Sequence, residues 1–349
     1  MPRTGDGPRL RIATPLSQPA AAAYNSGVTK DPGTTVHVVS HGPNCLDGTA
    51  AAVVVARYHR NAQVLPRFSS NTAINDTLLR LPHAADGTEH EVWITDISWT
   101  DPVVDRHLQA LVDAGTRVFW VDHHRTALER YRRGEVKVRF TDLVLSEAYA
   151  ASRLTYEYLR ARLQEERRQN EWFAAVHHLV AMADDNDRWI HQVPGSRELG
   201  LVVSVLGPAA YGELLNIDSD VHYTRRMQEA QRQLQDELQR TFEIAERSRV
   251  VHRVPEHSLS VVTAVCHGYP SEVADAWGKS ATDTVFALFD GRSLSVSLRR
   301  SPDCAVDLSE LAQRLGGGGH PAAAGCELQE LQRWIAEWLA ESVAARIGR

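Results

Sequence analysis

The chain predicts an α/β protein: a parallel, doubly wound sheet joined by a helical linker to a smaller α/β C-terminal domain. Three observations predict it. The runs Val36-His37-Val38-Val39, Val92-Trp93-Ile94-Thr95 and Val118-Phe119-Trp120-Val121 have the length and apolarity of buried strands, and helical stretches separate them. Each run ends in ionisable side chains, and open α/β sheets take ligands at the carboxyl ends of their strands. Later, Ser293-Leu294-Ser295-Val296-Ser297-Leu298 alternates in the manner of a half-buried strand, beside further apolar runs near Val261 and Val285.

The first run leads into Ser40-His41-Gly42-Pro43-Asn44-Cys45-Leu46-Asp47-Gly48 and then a helix from Thr49 to Tyr58. His41, Cys45 and Asp47 all offer metal-ligating atoms. Judged singly, His41 reads equally as a hydrogen-bonded loop histidine and Asp47 as a helix N-cap. The second run ends in Asp96, ahead of a helix opened by Asp101-Pro102. The third ends in Asp122-His123-His124. Three ionisable groups crowded at a strand end are costly to desolvate unless a cation compensates. A fourth segment, Val180 to Trp189, is a helical apolar stretch that breaks into Asp184-Asp185-Asn186-Asp187. Carboxylates at the negative end of a helix are unfavourable without such a cation. Carboxylate mixed with imidazole suits Mn²⁺, with Mg²⁺ the harder option and Zn²⁺ or Fe²⁺ as alternatives.

The four segments resemble, in order, the motifs of the DHH-family phosphoesterases. The matching pieces are His41 to Gly48, Asp96, Asp122-His123-His124 and Asp185. Far downstream, Gly316-Gly317-Gly318-Gly319-His320-Pro321-Ala322-Ala323-Ala324-Gly325 resembles the glycine-histidine signature of the DHH-associated C-terminal domain. The resemblance spans about residues 37 to 325. It implies a phosphodiesterase or phosphatase with two Mn²⁺ ions. Asp96 would bridge both; His41 would bind one; Asp47, His123 and Asp185 would bind the other. Asp122 would support its neighbouring imidazole, and His124 would face the scissile phosphate or help place the attacking water. The family commonly carries Asp where this chain has Cys45, and a thiolate there would favour softer metals.

The Asp307-Leu308-Ser309-Glu310 segment reads as a capping box opening a helix from Leu308 to Leu315, which Gly316 terminates. Gly317, Gly318 and Gly319 would then form a loop between two helices, exposing backbone N–H groups to a ligand, with His320 as a hydrogen-bond donor. Arg299 ends the preceding strand, a place suited to phosphate or carboxylate recognition. The resemblance implies that these residues bind the nucleotide.

Four domains or segments are expected. Residues 1–33, rich in Pro, Gly, Ala and Ser, read as a disordered or loosely packed arm. Residues 34–207 form the catalytic domain, 208–254 a helical linker and 255–349 the substrate-binding domain, with the active site in the cleft between the two domains. Arg225 to Ser248 places Met227, Ala230, Leu234, Leu238 and Ala245 on one face, a pattern that serves a connecting helix or a homodimer seam.

At 349 residues, 43% hydrophobic and 23% charged, the composition is that of a globular protein. No run is expected to cross a bilayer. Cys45, Cys266, Cys304 and Cys326 show no paired spacing, which fits a reducing cytoplasm. A formal net charge of −6 and the lack of a basic run argue against gripping long nucleic acid. The expected substrate is therefore a short nucleotide: an oligoribonucleotide, a linear or cyclic dinucleotide, or 3′,5′-bisphosphorylated adenosine. A RecJ-type single-strand exonuclease and a nucleotide-binding regulator with a degenerate metal site are the alternatives.

Overall fold

A computed structural model describes residues 33–83, 88–327 and 329–347. The N-terminal arm lies outside the described residues apart from Gly33. The chain divides into two compact units, with the boundary between Gln231 and Arg232.

The first unit alternates strands and helices: β1 (Thr34–His41), α1 (Leu46–Tyr58), β2 (Gln63–Ser69), α2 (Ile74–Leu79), β3 (Glu89–Thr95), α3 (Pro102–Asp113), β4 (Arg117–Asp122), α4 (Arg125–Arg132) and β5 (Asp142–Leu145). Five helical segments follow: α5 (Ala151–Glu165), α6 (Glu171–Ala174), α7 (His177–Asp187), α8 (Ser196–Leu206) and α9 (Ala210–Leu215). The five strands are all parallel, in the order β2-β1-β3-β4-β5. Both faces are covered, which is why the central strands read as nearly unbroken apolar runs. One face packs Val92, Ile94, Val118 and Trp120 against Leu78, Leu108 and Leu128 of α2, α3 and α4. On the other, Trp93 stacks on Phe119 at 4.2 Å, with Tyr158 of α5 beside them. The strand order reverses direction between β1 and β3. The crevice outside the carboxyl ends at such a switch point is where these sheets bind ligands.

One stretch, Ser196–Leu215, is long and apolar enough by composition to span a membrane, contrary to the expectation that none would be. It is not one helix. Gly207, at φ 53°, ends α8, and a 3₁₀ turn separates it from α9. Leu199, Val202, Val203 and Leu214 are buried within the unit.

Helix α10 (Arg225–Ser248) carries the chain into the second unit. There follow β6 (Val250–Val254), β7 (Leu259–Cys266), α11 (Pro270–Gly278), β8 (Thr284–Asp290), β9 (Ser295–Arg300), α12 (Leu308–Arg314), β10 (Gly318–His320), β11 (Ala323–Glu327) and α13 (Gln329–Ile347). The six strands lie in the order β10-β11-β9-β8-β7-β6, antiparallel except for the β7–β8 pair.

The N-cap half of the expected capping box forms. Asp307 accepts from Ser309 N at 2.8 Å and Glu310 N at 3.3 Å. Gly316 follows the helix at φ 79°. The glycine segment departs from the expected loop between helices: Gly318–His320 is an edge strand paired with β11. A Cβ at Gly317 would sit 2.0 Å from Gly325 O, and one at Gly319 would sit 2.5 Å from Ala324 Cα. These two glycines are therefore required by close approach to their own sheet. Within the segment, the space beside the glycine is open only at Gly316 and Gly318.

Candidate metal centre

The carboxyl ends of β1, β3 and β4 bring His41, Asp96 and Asp122-His123-His124 together, and α1 and α7 add residues from either side. Asp96 is central. Its backbone is left-handed at φ 59°, and its N–H donates to Val121 O at 3.0 Å, which holds the turn across to β4. Ser40 Oγ donates to Gly48 O at 2.7 Å, and Thr95 Oγ1 donates to Ser40 Oγ at 2.8 Å. This buried network ties the ends of β1 and β3 to the start of α1. A Cβ on Gly48 would fall 2.1 Å from His41 O, so only glycine permits that approach.

The two carboxylate oxygens of Asp96 face different partners. Oδ2 lies 3.4 Å from Cys45 Sγ and 3.6 Å from His41 Nδ1. Oδ1 lies 3.2 Å from His123 Nε2 and 4.0 Å from His124 Nδ1. His123 Nε2 in turn stands 4.0 Å from Asp47 Oδ2 and 3.5 Å from Asp187 Oδ2. Among the described residues, three groups keep their ligand atoms within 4.8 Å of one another: His41-Cys45-Asp96, Asp96-His123-His124 and Asp47-His123-Asp187.

Asp47 is fully buried and accepts from the N–H groups of Ala151 at 2.8 Å and Ser152 at 2.9 Å. Its carboxylate thus rests on the positive end of α5. Asp122 Oδ1 accepts from the N–H groups of His123 and His124 and pairs with His124 Nδ1 at 2.7 Å. That contact orients the His124 ring, whose side chain is 41% exposed and open to a ligand.

Each aspartate of the acidic cluster has a separate task. Asp184 accepts from Ala150 N and pairs with Arg153, both at 2.8 Å. Asp185, expected to bind metal, instead takes the N–H of Gln192 at 2.8 Å and the hydroxyl of Ser196. Asp187, the last residue of α7, faces His123. Helical rotation explains the difference, since Asp184 and Asp187 are three residues apart and share a face while Asp185 points away from it. The i, i+3 spacing was the available signal for Asp187.

The electrostatics describe a site short of positive charge. Burial opposes a charged His123, but the contact with Asp96 and the charges of Asp47 and Asp187 prevail and raise it to about 10. His124 is raised to about 9 against its burial, by the hydrogen bond and charge of Asp122 and the charge of Asp96. Burial, Asp96 and Asp187 push the Asp47 carboxyl well above the usual range. Asp96 is held low because its contacts with His123 and His41 outweigh burial. Without a cation the cluster must retain protons.

The residues fit a divalent metal. His123 Nε2, which stands in two of the three ligand groups, is buried without a completed hydrogen bond, an arrangement that is costly unless something else takes its lone pair. The donor set of carboxylates and imidazoles is that of Mn²⁺ or Mg²⁺, with Cys45 as a softer addition.

In the second unit, Arg299 donates to Leu298 O at 2.8 Å, Ala324 O at 3.4 Å and Ser271 Oγ at 2.7 Å. Burial lowers its pKa. His320 is exposed on β10.

No family model matches the chain. It is 28% identical over 309 residues to the oligoribonuclease NrnB of Bacillus subtilis (strain 168), covering 84% of this chain and 73% of that one. The fold is similar to that of the pGpG-specific phosphodiesterase PggH from Vibrio cholerae, with a TM-score of 0.51 and 14% identity over 89% of this chain and 99% of the other. It is also similar to RecJ of Thermus thermophilus in complex with Mn²⁺, with a TM-score of 0.50 and 15% identity, covering 89% of this chain and 52% of RecJ.

Proposed function

We propose that this chain is a DHH-family phosphoesterase, a phosphodiesterase cleaving short nucleotides, oligoribonucleotides and dinucleotides first among them, with two divalent cations. One observation carries this reading. Asp96 turns one oxygen to His41 and Cys45 and the other to His123, beside Asp47 and Asp187. A carboxylate so placed can serve two cations at once. His41, Cys45 and Asp96 would hold one, and Asp96, His123, Asp47 and Asp187 the other. When bound, the cations would supply charge to the phosphate oxygens and acidify the attacking water.

The chain's own groups do the remainder. Asp122 fixes the His124 ring through Nδ1, leaving Nε2 to hydrogen-bond or exchange a proton with a phosphate oxygen or the leaving hydroxyl. The N-terminus of α5 holds the Asp47 carboxylate in place. In the second unit, Arg299, Gly318 and His320 are candidate nucleotide-binding residues. The acidic net charge supports a small substrate over a long strand.

The test is a length series of labelled oligoribonucleotides, from two residues upward, with metal-free protein titrated with Mn²⁺. Cleavage should be fastest on the shortest members. Undiminished cutting of long strands would replace this reading with the RecJ-type exonuclease. No product at any Mn²⁺ concentration would favour the nucleotide-binding regulator, to which Cys45 lends its only support.

A further inference from the structure

Immediately after Asp187 the chain departs from good helix-ending chemistry. Helix α7 closes with Ile190 N donating to Asp185 O at 2.9 Å, and the residue between cap and closure, Trp189, is left-handed at φ 55°. That position favours glycine, and a bulky aromatic there is strained. His191 is strained in the same way, also at φ 55°. Unusual backbone of this kind gathers at functional sites.

The Trp189 side chain is equally out of place. Trp93 and Trp120 of the sheet, and Trp99 in the loop after β3, are fully buried, whereas Trp189 leaves 44% of its surface in solvent. It is nonetheless held. The His191 ring lies 4.4 Å away at 56°, and the Arg197 guanidinium lies over the indole at 5.6 Å. Two residues of chain bring its Cα to within about 7.6 Å of that of Asp187, whose carboxylate faces His123. That is an upper bound, and it keeps the indole in the neighbourhood of the candidate metal centre, within the span of a single nucleotide.

We infer that Trp189 is a nucleobase platform, stacking one base of the substrate beside the scissile phosphate, with His191 and Arg197 positioning the indole. The inference rests on the phosphodiesterase reading and deepens it. Base–aromatic stacking tolerates any base, so the platform would set position without selecting sequence.

The experiment compares the wild type with W189G and W189F on a diribonucleotide and on two analogues, each abasic on one side, with Mn²⁺ present. W189G should raise KM about tenfold with kcat within about twofold, while its Tm stays level or rises because glycine relieves the left-handed strain. W189F should keep most of the affinity. One of the abasic analogues should lose the same factor in the wild type and lose nothing further in W189G. Equal KM effects of W189G on all three substrates, or a loss of kcat with unchanged KM, would overturn the platform. If the wild type cleaves nothing, the phosphodiesterase reading fails by itself. The same comparison made on Kd by calorimetry then judges Trp189, and failure of the wild type to bind the dinucleotide overturns the platform as well.

Discussion

Cys45 Sγ donates to Asp96 Oδ2 at 3.4 Å while accepting from Gly48 N at the same distance. The thiol therefore caps α1 and stands in one of the three ligand groups. Burial, with Asp96, Asp187 and Asp47 adding to it, raises the Cys45 pKa well above its ordinary value, so without a cation it is a thiol. C45D should shift preference away from soft metals, lowering Cd²⁺ affinity at least about tenfold and raising Mn²⁺ affinity. Competition titrations check this, and the ultraviolet thiolate–Cd²⁺ absorption of the wild type should be missing from C45D.

Asp187 and Asp185 should part company. D187N should weaken Mn²⁺ binding and slow turnover by about 10- to 100-fold with little change in folding. D185N should leave Mn²⁺ stoichiometry alone and cost about 1–3 kcal/mol of stability, because it weakens the bonds to Gln192 N and Ser196 Oγ. Metal analysis and urea denaturation of both variants separate the two roles.

Asp96 is the group both ligand sets share. D96N should reduce Mn²⁺ from two ions per chain to one or none and lower kcat by about 10³-fold, as expected when a group acting directly on the reaction is lost. Electron paramagnetic resonance reads the coupling between ions, which should vanish in the variant.

Gly48 should not tolerate a side chain. G48A places a methyl 2.1 Å from His41 O and should cost about 3 kcal/mol or more and abolish metal binding. Gly212, inside α9 with open space around it, is the control. G212A should be neutral or stabilise by up to about 1 kcal/mol. Thermal melts compare the pair.

His37 lies within β1, buried, with both ring nitrogens lacking partners. Burial first, then the charges of Arg67 and His90, lower its pKa from 6.5 to about 4. In the unfolded chain His37 takes a proton nearer pH 6.5. Between pH 4 and 6.5 the unfolded state binds more protons, so this contribution is complete above about pH 6.5 and is lost as pH falls towards 4. It amounts to at most about 3 kcal/mol. H37L should flatten that part of the stability profile when denaturation is compared at about pH 7 and about pH 4.5.

Much of the first unit was legible because parallel strands covered on both faces must be apolar along their length. β1, β3 and β4 announced themselves this way, and their terminal residues pointed to the site. β2 did not, since Pro66 interrupts it; a proline is tolerated there because β2 is an edge strand. β11 was hidden by Ala323-Ala324-Gly325, which carry little strand preference until β9 pairs with them. The choice among Asp184, Asp185 and Asp187 needed the rotation of α7 about its axis. The i, i+3 spacing puts Asp184 and Asp187 on one face, and only the placement of Arg153 and Ser196 then assigns Asp184 and Asp185 to other partners.

The N–H groups that cradle Asp47 come from residues 104 and 105 positions later in the chain, and Asp184 leans on the same helix end. Nascent polypeptide that stops short of Ala151 would carry His41, Asp96 and His123 but nothing to seat Asp47. On the two-cation reading, capture of the cation that Asp47 would hold is thus expected late in maturation, and tight uptake of Mn²⁺ would report that α5 has docked.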